Sequence, residues 1–374
     1  MAATPNNMHQ QQRIRRRMGN NSKLPRPKKI IKVSQLPSSK WSLASKMNLI
    51  FKVFFTTMFI VVFIVCALAP VVFRTSPTIQ KVFVFMNYIN FGLSHPEDLG
   101  LNCTRNFLVN STNSIQLGVW HIFPSQRANC QHSSDQWNDS QDWFADEYMV
   151  VLYMHGIGGT RSSQHRVSLY KMLSHQLNMH VITFDYRGYA DSTNVWPHSE
   201  GLVNDTNAVY NWLLQNGVSP KRILLWGHSL GTAVAVRHLS LVKVHPMATV
   251  LEAPFTNFRE VIISFPLSRL FTFLPYFEYF FVDPLVQNPA TNFDSLALLH
   301  RVQSPLLILH ARDDMIVPFD LGKKLHQVAH QVQPNNVSRP KFHSFDEHKG
   351  YGHKNIFLDP ELPLIIEQFI KSNL

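Results

Sequence analysis

Residues 222–240 read RILLWGHSLGTAVAVRHLS: a short apolar run, a pentapeptide of the form G-x-S-x-G at 227–231, and a helix-like segment. The two glycines permit a sharp bend between a strand and a helix, which leaves the side chain of Ser229 exposed at the N-terminus of the helix. A tight turn with a purely structural role is the alternative. The position of the pentapeptide between a predicted strand and a predicted helix favours a nucleophilic serine at Ser229.

The alternation of strand-like and helix-like segments continues through the rest of the body. From residue 149 onward, short runs rich in β-branched and aromatic residues alternate with longer amphipathic segments. Such alternation is typical of parallel βαβ units. We therefore predict an α/β fold with a doubly wound, mostly parallel sheet, in which ligands bind at the carboxyl ends of the strands. The predicted strands are 149–154, 180–184, 222–226, 248–251, 305–309 and 341–345, and the predicted helices include 166–177, 202–215, 230–240, 319–329 and 362–370.

A glycine-rich turn, HGIGG at 155–159, follows the first of these strands. The alkoxide that develops when a serine attacks a carbonyl needs fixed hydrogen-bond donors, and backbone amides supply them. We predict that the amides of Ile157 and Leu230 form this oxyanion hole. A phosphate-binding loop would require a Lys-Ser/Thr pair, which this turn does not contain. A flexible loop without a catalytic role is the remaining alternative.

A nucleophilic serine also needs a base and a carboxylate, which follow it along the chain in the order serine, acid, histidine. Two carboxylates, Asp313 and Asp314, follow the predicted strand 305–309. We predict Asp314 as the acid, because the Asp-x-x-Val-Pro spacing leads into the next helix. Asp313 is the alternative, and its structural role would be a bond to the loop backbone.

Three histidines accompany the last predicted strand. His343 lies within it, whereas His348 and His353 follow it. His353 ends the loop GYGH at 350–353, a flexible approach that suits an imidazole brought over the edge of the sheet. We predict His353 as the base, with His348 as the alternative.

The positive charge of the chain is confined to its N-terminal part. The net charge is +11, yet twelve Lys and Arg fall within 13–52, and the remainder carries 23 basic against 24 acidic residues. Residues 1–46 contain too few apolar side chains to bury a core, and we predict a basic, disordered, cytosolic tail. Nucleic-acid binding is disfavoured, because Trp41 is the only aromatic residue there that could stack on a base.

An uncharged apolar run of 21 residues, 53–73, follows the tail. Its length matches a helix that crosses a bilayer, and we predict a transmembrane anchor at 47–73. A signal peptide would lie nearer the N-terminus, and a core helix would show a polar face. Because the basic residues precede the run, we predict a cytosolic N-terminus and a lumenal catalytic body. Acceptor patterns for N-glycosylation lie beyond it at Asn102, Asn110, Asn138, Asn204 and Asn336, although another at Asn20 shows that chance matches occur.

Residues 74–145 are predicted to be a linker and membrane-proximal segment. Within them, 79–93 is either an amphipathic helix on the membrane surface or an ordinary packed helix, 115–122 is a leading strand, and 125–142 is a polar loop. Cys103 and Cys130 could pair in an oxidising compartment. The sequence has no metal-binding spacing, and we predict neither a metal nor a cofactor.

Four motifs, at 185–189, 227–231, 252–257 and 305–311, resemble those of the α/β-hydrolase domain family whose twelfth member is a lysophosphatidylserine lipase. The resemblance covers about residues 148–374 and implies an α/β-hydrolase domain at 146–374 with a helical cap at about 255–300. It also implies the triad Ser229, Asp314 and His353, and lysophosphatidylserine and monoacylglycerol as substrates at the endoplasmic reticulum membrane. One departure is Ala190, which stands where many relatives have a glycine.

Nine phenylalanines lie between Phe255 and Phe293, where the cap is expected. They either line an apolar channel for an acyl chain, open toward the bilayer, or simply pack the cap onto the core. We predict a membrane-bound lipase whose partners are a lipid substrate and the bilayer, and we leave the oligomeric state open. A thioesterase or serine peptidase would use the same triad, and a non-catalytic membrane scaffold is a further alternative.

Overall fold

The computed structural model describes residues 42–88, 93, 95–112, 114–127, 143–269 and 271–374. The chain divides into two compact units, Met1–Phe59 and Ile60–Leu374. The described part of the first unit is helical, and the second unit contains the sheet.

Among the described residues, one sheet of eight strands organises the second unit, in the order β1-β2-β4-β3-β5-β6-β7-β8. The pairs β1–β2 and β2–β4 are antiparallel, and all other neighbours are parallel. The predicted α/β fold with a mostly parallel sheet is confirmed. The strands are β1 Thr104–Asn110, β2 Gln116–Ile122, β3 Val150–Met154, β4 His180–Phe184, β5 Ile223–His228, β6 Ala248–Glu252, β7 Leu306–Ala311 and β8 Lys341–Phe345.

Helices cover both faces of the sheet, so residues of the central strands are buried on both sides. Along β5, Leu225 packs into one apolar cluster and Leu224 and Trp226 pack into the other. The central helix α6 begins directly after Ser229, and nearly all of its residues are buried. The helices are α1 Leu43–Phe63, α2 Ala69–Thr75, α3 Pro77–Phe85, α4 Gln164–Lys171, α5 Ser199–Gln215, α6 Leu230–Leu239, α7 Phe258–Ser264, α8 Pro266–Arg269, α9 Asp283–Gln287, α10 Phe319–Val332 and α11 Leu362–Lys371.

The predicted anchor lies within a continuous helical segment, Leu43–Thr75, whose 33 residues are long and apolar enough to cross a membrane. Helix α1 and helix α2 are joined in this segment by a π-helical turn, Ile64–Leu68. No side chain of α1 is buried, as expected for a helix that faces lipid.

Helix α3 falls where a helix was predicted at 79–93, but it ends at Phe85 because Met86 adopts a left-handed conformation. Its side chains Val84 and Phe85 are buried in the main core. This part of the segment therefore packs against the body through one face, whereas Ile79 and Phe83 on α3 are exposed.

The predicted leading strand corresponds to β2, whereas β1 was not predicted. Most of the predicted loop 125–142 lies outside the described residues. Cys103 is disulfide-bonded and Cys66 is a free thiol, while Cys130 lies outside the described residues. Ala190 has a φ of 44°, a conformation that explains why a glycine suits this position.

The segment between β6 and β7 contains helices α7, α8 and α9 together with a π-helical turn, Glu278–Val282, and a 3₁₀ helix, Leu296–Arg301. This is the region predicted to form a helical cap. Its nine phenylalanines differ in exposure: Phe273 is 77% exposed, while four are buried and four are half-buried. The buried ones are Phe255, Phe258, Phe277 and Phe293, and the half-buried ones are Phe265, Phe271, Phe280 and Phe281.

Candidate active site

The turn that carries Ser229 is strained and tightly packed. Ser229 has φ 52° and ψ −116°, values that a residue with a side chain rarely adopts. Its amide donates to the carbonyl oxygen of Glu252 at 2.9 Å, and its own carbonyl accepts a hydrogen bond from the hydroxyl of Thr232 at 2.6 Å. These bonds fix the backbone, so the hydroxyl of Ser229 is presented at the end of β5.

Both glycines of the pentapeptide are required by packing. A Cβ on Gly227 would lie 2.5 Å from the carbonyl oxygen of Gly231, and a Cβ on Gly231 would overlap the carbonyl of Met154. Helix α6 therefore approaches the ends of β5 and β3 more closely than any side chain would permit.

His353 and Asp314 are held together by a hydrogen bond. The imidazole Nδ1 donates to Oδ2 of Asp314 at 2.7 Å, which leaves Nε2 as the nitrogen that can accept a proton. The other carboxylate oxygen, Oδ1, accepts hydrogen bonds from the amides of Ile316 and Val317 at 2.8 and 2.9 Å. The backbone amides of the loop after β7 thus fix the orientation of the Asp314 carboxylate. The carboxylate in turn fixes the orientation of the His353 imidazole.

Asp314 remains ionised in this position. Burial raises the pKa of its carboxyl, but the hydrogen bonds from His310 and His353 outweigh that effect and hold the pKa well below its ordinary value. An ionised carboxylate at Nδ1 stabilises a positive charge on the imidazole.

Two further bonds anchor the loop that carries His353. The amide of Gly352 donates to Oδ2 of Asp313 at 2.9 Å. Nε2 of His228 donates to the carbonyl oxygen of His353 at 2.9 Å. Because His228 precedes Ser229 directly, this second bond brings the loop beside the nucleophile turn. Asp313 therefore binds the loop backbone, the structural role considered for it, and does not bind the imidazole.

The alternative histidines lie elsewhere. His348 is exposed in a short 3₁₀ helix, Glu347–Lys349, and His343 lies within β8 beside the ring of Phe345. The structure brings Asp314 together with His353, and it brings neither His343 nor His348 to that carboxylate through a hydrogen bond among the described residues.

The glycine-rich turn 155–159 lies against Ser229. A Cβ on Gly156 would lie 3.1 Å from Cβ of Ser229. The predicted donors, Ile157 and Leu230, thus follow two adjacent strands whose ends meet at the serine. Ile157 is partly exposed and Leu230 is buried.

A buried arginine that was not predicted holds the turn in place. The guanidinium of Arg166 donates to the carbonyls of Thr160, Gly158 and Gly156 at 2.7, 2.8 and 3.2 Å. The signal in the sequence that could have indicated this role is the position of Arg166 on helix α4, next to the apolar side chains of Val167 and Leu169, which are buried.

A single carbonyl of α3 also supports this region. The amide of Gly158 donates to the carbonyl oxygen of Phe85 at 3.3 Å, and the hydroxyl of Tyr189 donates to the same oxygen. Nothing in the sequence pattern predicted this contact, because the residues are far apart along the chain.

A second buried carboxyl lies behind the site at the end of β6. Nε1 of Trp226 donates to Oε2 of Glu252 at 2.7 Å. Burial, with a smaller contribution from the charge of Asp314, raises the pKa of Glu252 to about 8 despite the lowering effect of the bond from Trp226. Glu252 is therefore mostly protonated at neutral pH, and of these two carboxyls Asp314 is the one that carries the negative charge beside the imidazole.

No group of three or more His, Cys, Asp or Glu side chains that could hold a metal ion occurs in the described part of the chain. The arrangement of Ser229, His353 and Asp314 supplies a hydroxyl, a proton acceptor and an orienting carboxylate, which are the groups that acyl transfer through a serine requires.

Comparison with known proteins gives consistent relatives. A family model described as Alpha/beta hydrolase family matches residues 150–362. The lysophosphatidylserine lipase ABHD12 of Danio rerio is 40% identical over 311 residues, which cover 81% of this chain and 80% of that protein. The protein of the same name from Mus musculus is 39% identical and covers 80% and 76%, and protein ABHD12B of Homo sapiens is 35% identical and covers 75% and 76%.

Solved structures agree on the fold. The Pyrococcus furiosus esterase Pf2001 has a TM-score of 0.54 at 20% identity and covers 75% of this chain and 95% of that one. A puromycin-hydrolyzing peptidase of Mycobacterium tuberculosis has a TM-score of 0.51 at 15% identity, covering 72% and 39%. At such identities the similarity concerns the fold alone.

Proposed function

This chain belongs to the alpha/beta hydrolase family, and from that membership we propose that it is a membrane-anchored serine hydrolase that cleaves the acyl ester of lysophospholipids, in particular lysophosphatidylserine. The observation that carries the proposal is the bond from His353 to Asp314 beside the strained turn of Ser229. Relatives named for lysophosphatidylserine support the choice of substrate, since they align over about four-fifths of the chain. Monoacylglycerols are a second substrate class of the same chemistry.

In the proposed reaction, Oγ of Ser229 attacks the acyl carbonyl carbon while Nε2 of His353 takes its proton. The resulting oxyanion is stabilised by the amides of Ile157 and Leu230. When the tetrahedral intermediate collapses, His353 gives the proton to the oxygen of the leaving alcohol. A water molecule then attacks the acyl-serine with His353 as the base, which releases the fatty acid and restores Ser229.

The two buried carboxyls have separate parts in this proposal. Asp314 stays ionised, holds the tautomer of His353 and stabilises the imidazolium that forms during attack. Glu252 is neutral, so it does not draw the proton away from His353. The bond from Trp226 keeps this neutral group in place.

We further propose that the segment Leu43–Thr75 anchors the protein in the endoplasmic reticulum membrane, with the basic tail cytosolic and the domain lumenal. Among the glycosylation candidates, Asn102, Asn110 and Asn336 are exposed, which suits a glycan. Asn204 is half-buried in α5, and the hydroxyl of Thr206 in its acceptor pattern is buried and donates to Leu202. Asn138 lies outside the described residues.

The test compares membranes that carry the protein with matched membranes that carry Ser229→Ala. Fatty-acid release is measured from lysophosphatidylserine and from monoacylglycerol, with cleavage of a thioester and of a peptide ester alongside. Release that depends on Ser229 and favours the lysolipid supports the proposal. Equal release from both membranes contradicts it, and Ser229-dependent cleavage of only the thioester or the peptide ester indicates a thioesterase or a peptidase. Labelling of Ser229 by a fluorophosphonate distinguishes an enzyme from a scaffold.

A further inference from the structure

The helical segment Leu43–Thr75 is interrupted at one point by Pro70. A proline has no N–H, so the carbonyl of Cys66 lacks the donor that residue i+4 normally provides. The helix widens here into the π-helical turn Ile64–Leu68. The hydroxyl of Tyr276, which belongs to the cap region, donates to the carbonyl oxygen of Cys66 at 2.8 Å. A side chain far along the sequence therefore binds the point at which the helix backbone is weakened.

The cap covers one face of the helix beyond this point. Pro70 is buried, and Cys66, Ala67, Phe73 and Arg74 are half-buried; spacings of three and four residues place these positions on the same face. The ring of Phe73 packs against that of Phe281 with a centroid separation of 5.3 Å. The residues Leu68, Val71 and Val72, on other faces, are exposed.

The depth of this contact follows from the positions of charges. Lys52 and Arg74 flank the uncharged run, so a spanning helix places Arg74 near the water interface. The guanidinium of Arg74 donates to the carbonyl of Tyr279 and lies over its ring, 3.6 Å from the centroid, and tyrosine is common at that interface.

Cys66 precedes Arg74 by eight residues. At 1.5 Å per residue it lies about 12 Å further along the helix axis. The hydrocarbon layer of one leaflet, which is half of the bilayer core, is roughly 15 Å thick. A hydroxyl that binds the carbonyl of Cys66 therefore lies among lipid chains.

The composition of the cap tip, residues 271–277, fits that position. The tip reads FTFLPYF and contains no charged side chain, while Arg269 and Glu278 lie just outside it. Phe273 is exposed at its centre. A polar groove of about 310 Å³ lies nearer the expected water interface and is lined by Arg74, Pro77, Gln80, Pro284, Gln287 and Asn288.

We propose that the cap tip is embedded in the lipid leaflet nearest the catalytic domain, where the bond from Tyr276 to Cys66 fixes it to the anchor helix and Phe273 contacts acyl chains. The partner is thus the bilayer itself. Lysolipid substrates then reach the site from within the leaflet. This inference rests on the proposed anchoring of the chain and not on the assignment of the triad.

The test places an environment-sensitive NBD fluorophore at single cysteines in a Cys66→Ala background, which keeps the backbone carbonyl that Tyr276 binds. Phe273→Cys is compared with Phe59→Cys in the apolar helix and with Leu364→Cys, an exposed apolar position on α11. The protein is reconstituted into phosphatidylcholine vesicles that contain lipids with nitroxide-labelled acyl chains. The Cys66→Ala protein without an added cysteine gives the background signal.

We expect strong quenching at positions 273 and 59 and none at 364. Quenching at 59 but not at 273 overturns the inference and leaves the anchor intact. Absence of quenching at both positions overturns the anchor and the inference together, without bearing on the triad.

A kinetic measurement gives a second readout. Phe273→Asp places a charge in the tip, and we expect the KM for lysolipid in vesicles to rise by about tenfold while hydrolysis of a water-soluble short-chain ester is unchanged. Leu364→Asp is the matched control and should change neither value. An unchanged vesicle KM for Phe273→Asp contradicts the inference.

Discussion

The nucleophile turn at 227–231 and the cap tip at 271–277 represent two different ways in which a sequence produces function. The turn is buried and defined by the backbone: Ser229 is 5% exposed, and its two glycines are required by atoms within 2.5 Å. The tip is held by a few side-chain contacts and presents aromatic surface. Chemistry is thus specified by positions that accept one residue type, whereas access to lipid is specified by composition, which many sequences could satisfy.

Gly231→Ala should have the largest effect, because the added Cβ would overlap the backbone carbonyl of Met154, which cannot move without disturbing β3. We expect complete loss of activity and a lower yield of folded protein, measured by ester hydrolysis and by thermal unfolding. Gly217→Ala is the control: φ there is also positive at 81°, but nothing lies near the new Cβ. Gly217→Ala should lower the free energy of unfolding by about 1–2 kcal/mol and leave the activity unchanged. Equal effects of the two variants would contradict the role given to packing.

Asp314→Asn should lower kcat on a soluble ester by about 10³–10⁴-fold, since the amide does not hold the imidazole tautomer or stabilise its charge. Asp313→Asn should lower it by about tenfold or less, because the amide oxygen still accepts the hydrogen bond from Gly352. Both values come from steady-state kinetics at one pH. If Asp313→Asn lowered kcat more than Asp314→Asn, Asp313 would be the acid of the triad and Asp314 would have the structural role.

Phe280→Ala tests the cap with a smaller expected effect. Phe280 is half-buried and packs on the rings of Tyr276 and Tyr279, so its removal should disturb the cap without opening the main core. We expect the ratio of long-chain to short-chain ester hydrolysis to fall by about tenfold, through the loss of apolar contact. Phe277→Ala should lower the same ratio, although its buried ring adds a cost in stability. Equal losses for long and short chains would show that these rings serve packing alone.

Glu252→Gln should have the smallest effect, and it should appear in stability. The pKa of Glu252 is raised from 4.5 to about 8, so the folded state binds a proton that the unfolded state releases above pH 4.5. Wild-type stability therefore decreases as pH rises from about 4.5 to 8, whereas glutamine does not titrate and still accepts from Trp226. The variant should melt a few degrees above wild type at pH 8, with the difference vanishing near pH 4.5. A difference that does not change with pH would contradict the shifted pKa.

Much of the fold could be predicted because central parallel strands are buried on both faces and appear as apolar runs. The runs that became β3 to β7 are of this kind, and all their residues are buried. Strand β1 was missed for the opposite reason. It lies at the edge of the sheet, and five of its seven residues, among them Arg105, Asn106 and Leu108, are not buried and break the pattern.

The candidate site could be predicted in part for a similar reason. Ser229, Asp314 and His353 follow strands, and the glycine and Val-Pro spacings around them are local signals. Glu252 and His228 act through contacts with segments distant in sequence, which no local pattern encodes. Arg166 binds carbonyls only six to ten residues before it, but a charged side chain is not expected to be buried, so its role was missed. The sequence alone does not show which of two adjacent carboxylates points toward the histidine. In the structure, Asp314 binds the imidazole of His353 and Asp313 binds the amide of Gly352.

The carbonyl oxygen of Phe85 accepts hydrogen bonds from the amide of Gly158 and the hydroxyl of Tyr189. These bonds have a practical consequence for preparing the enzyme without its anchor. A truncation that begins at Leu101, just before the first strand, would delete a wholly buried phenylalanine and leave two donors without their acceptor. Expression for crystallisation should therefore begin no later than Ser76, which caps α3 through a bond from the amide of Ile79. The short helix after the anchor is the first piece of the catalytic body and should be purified with it.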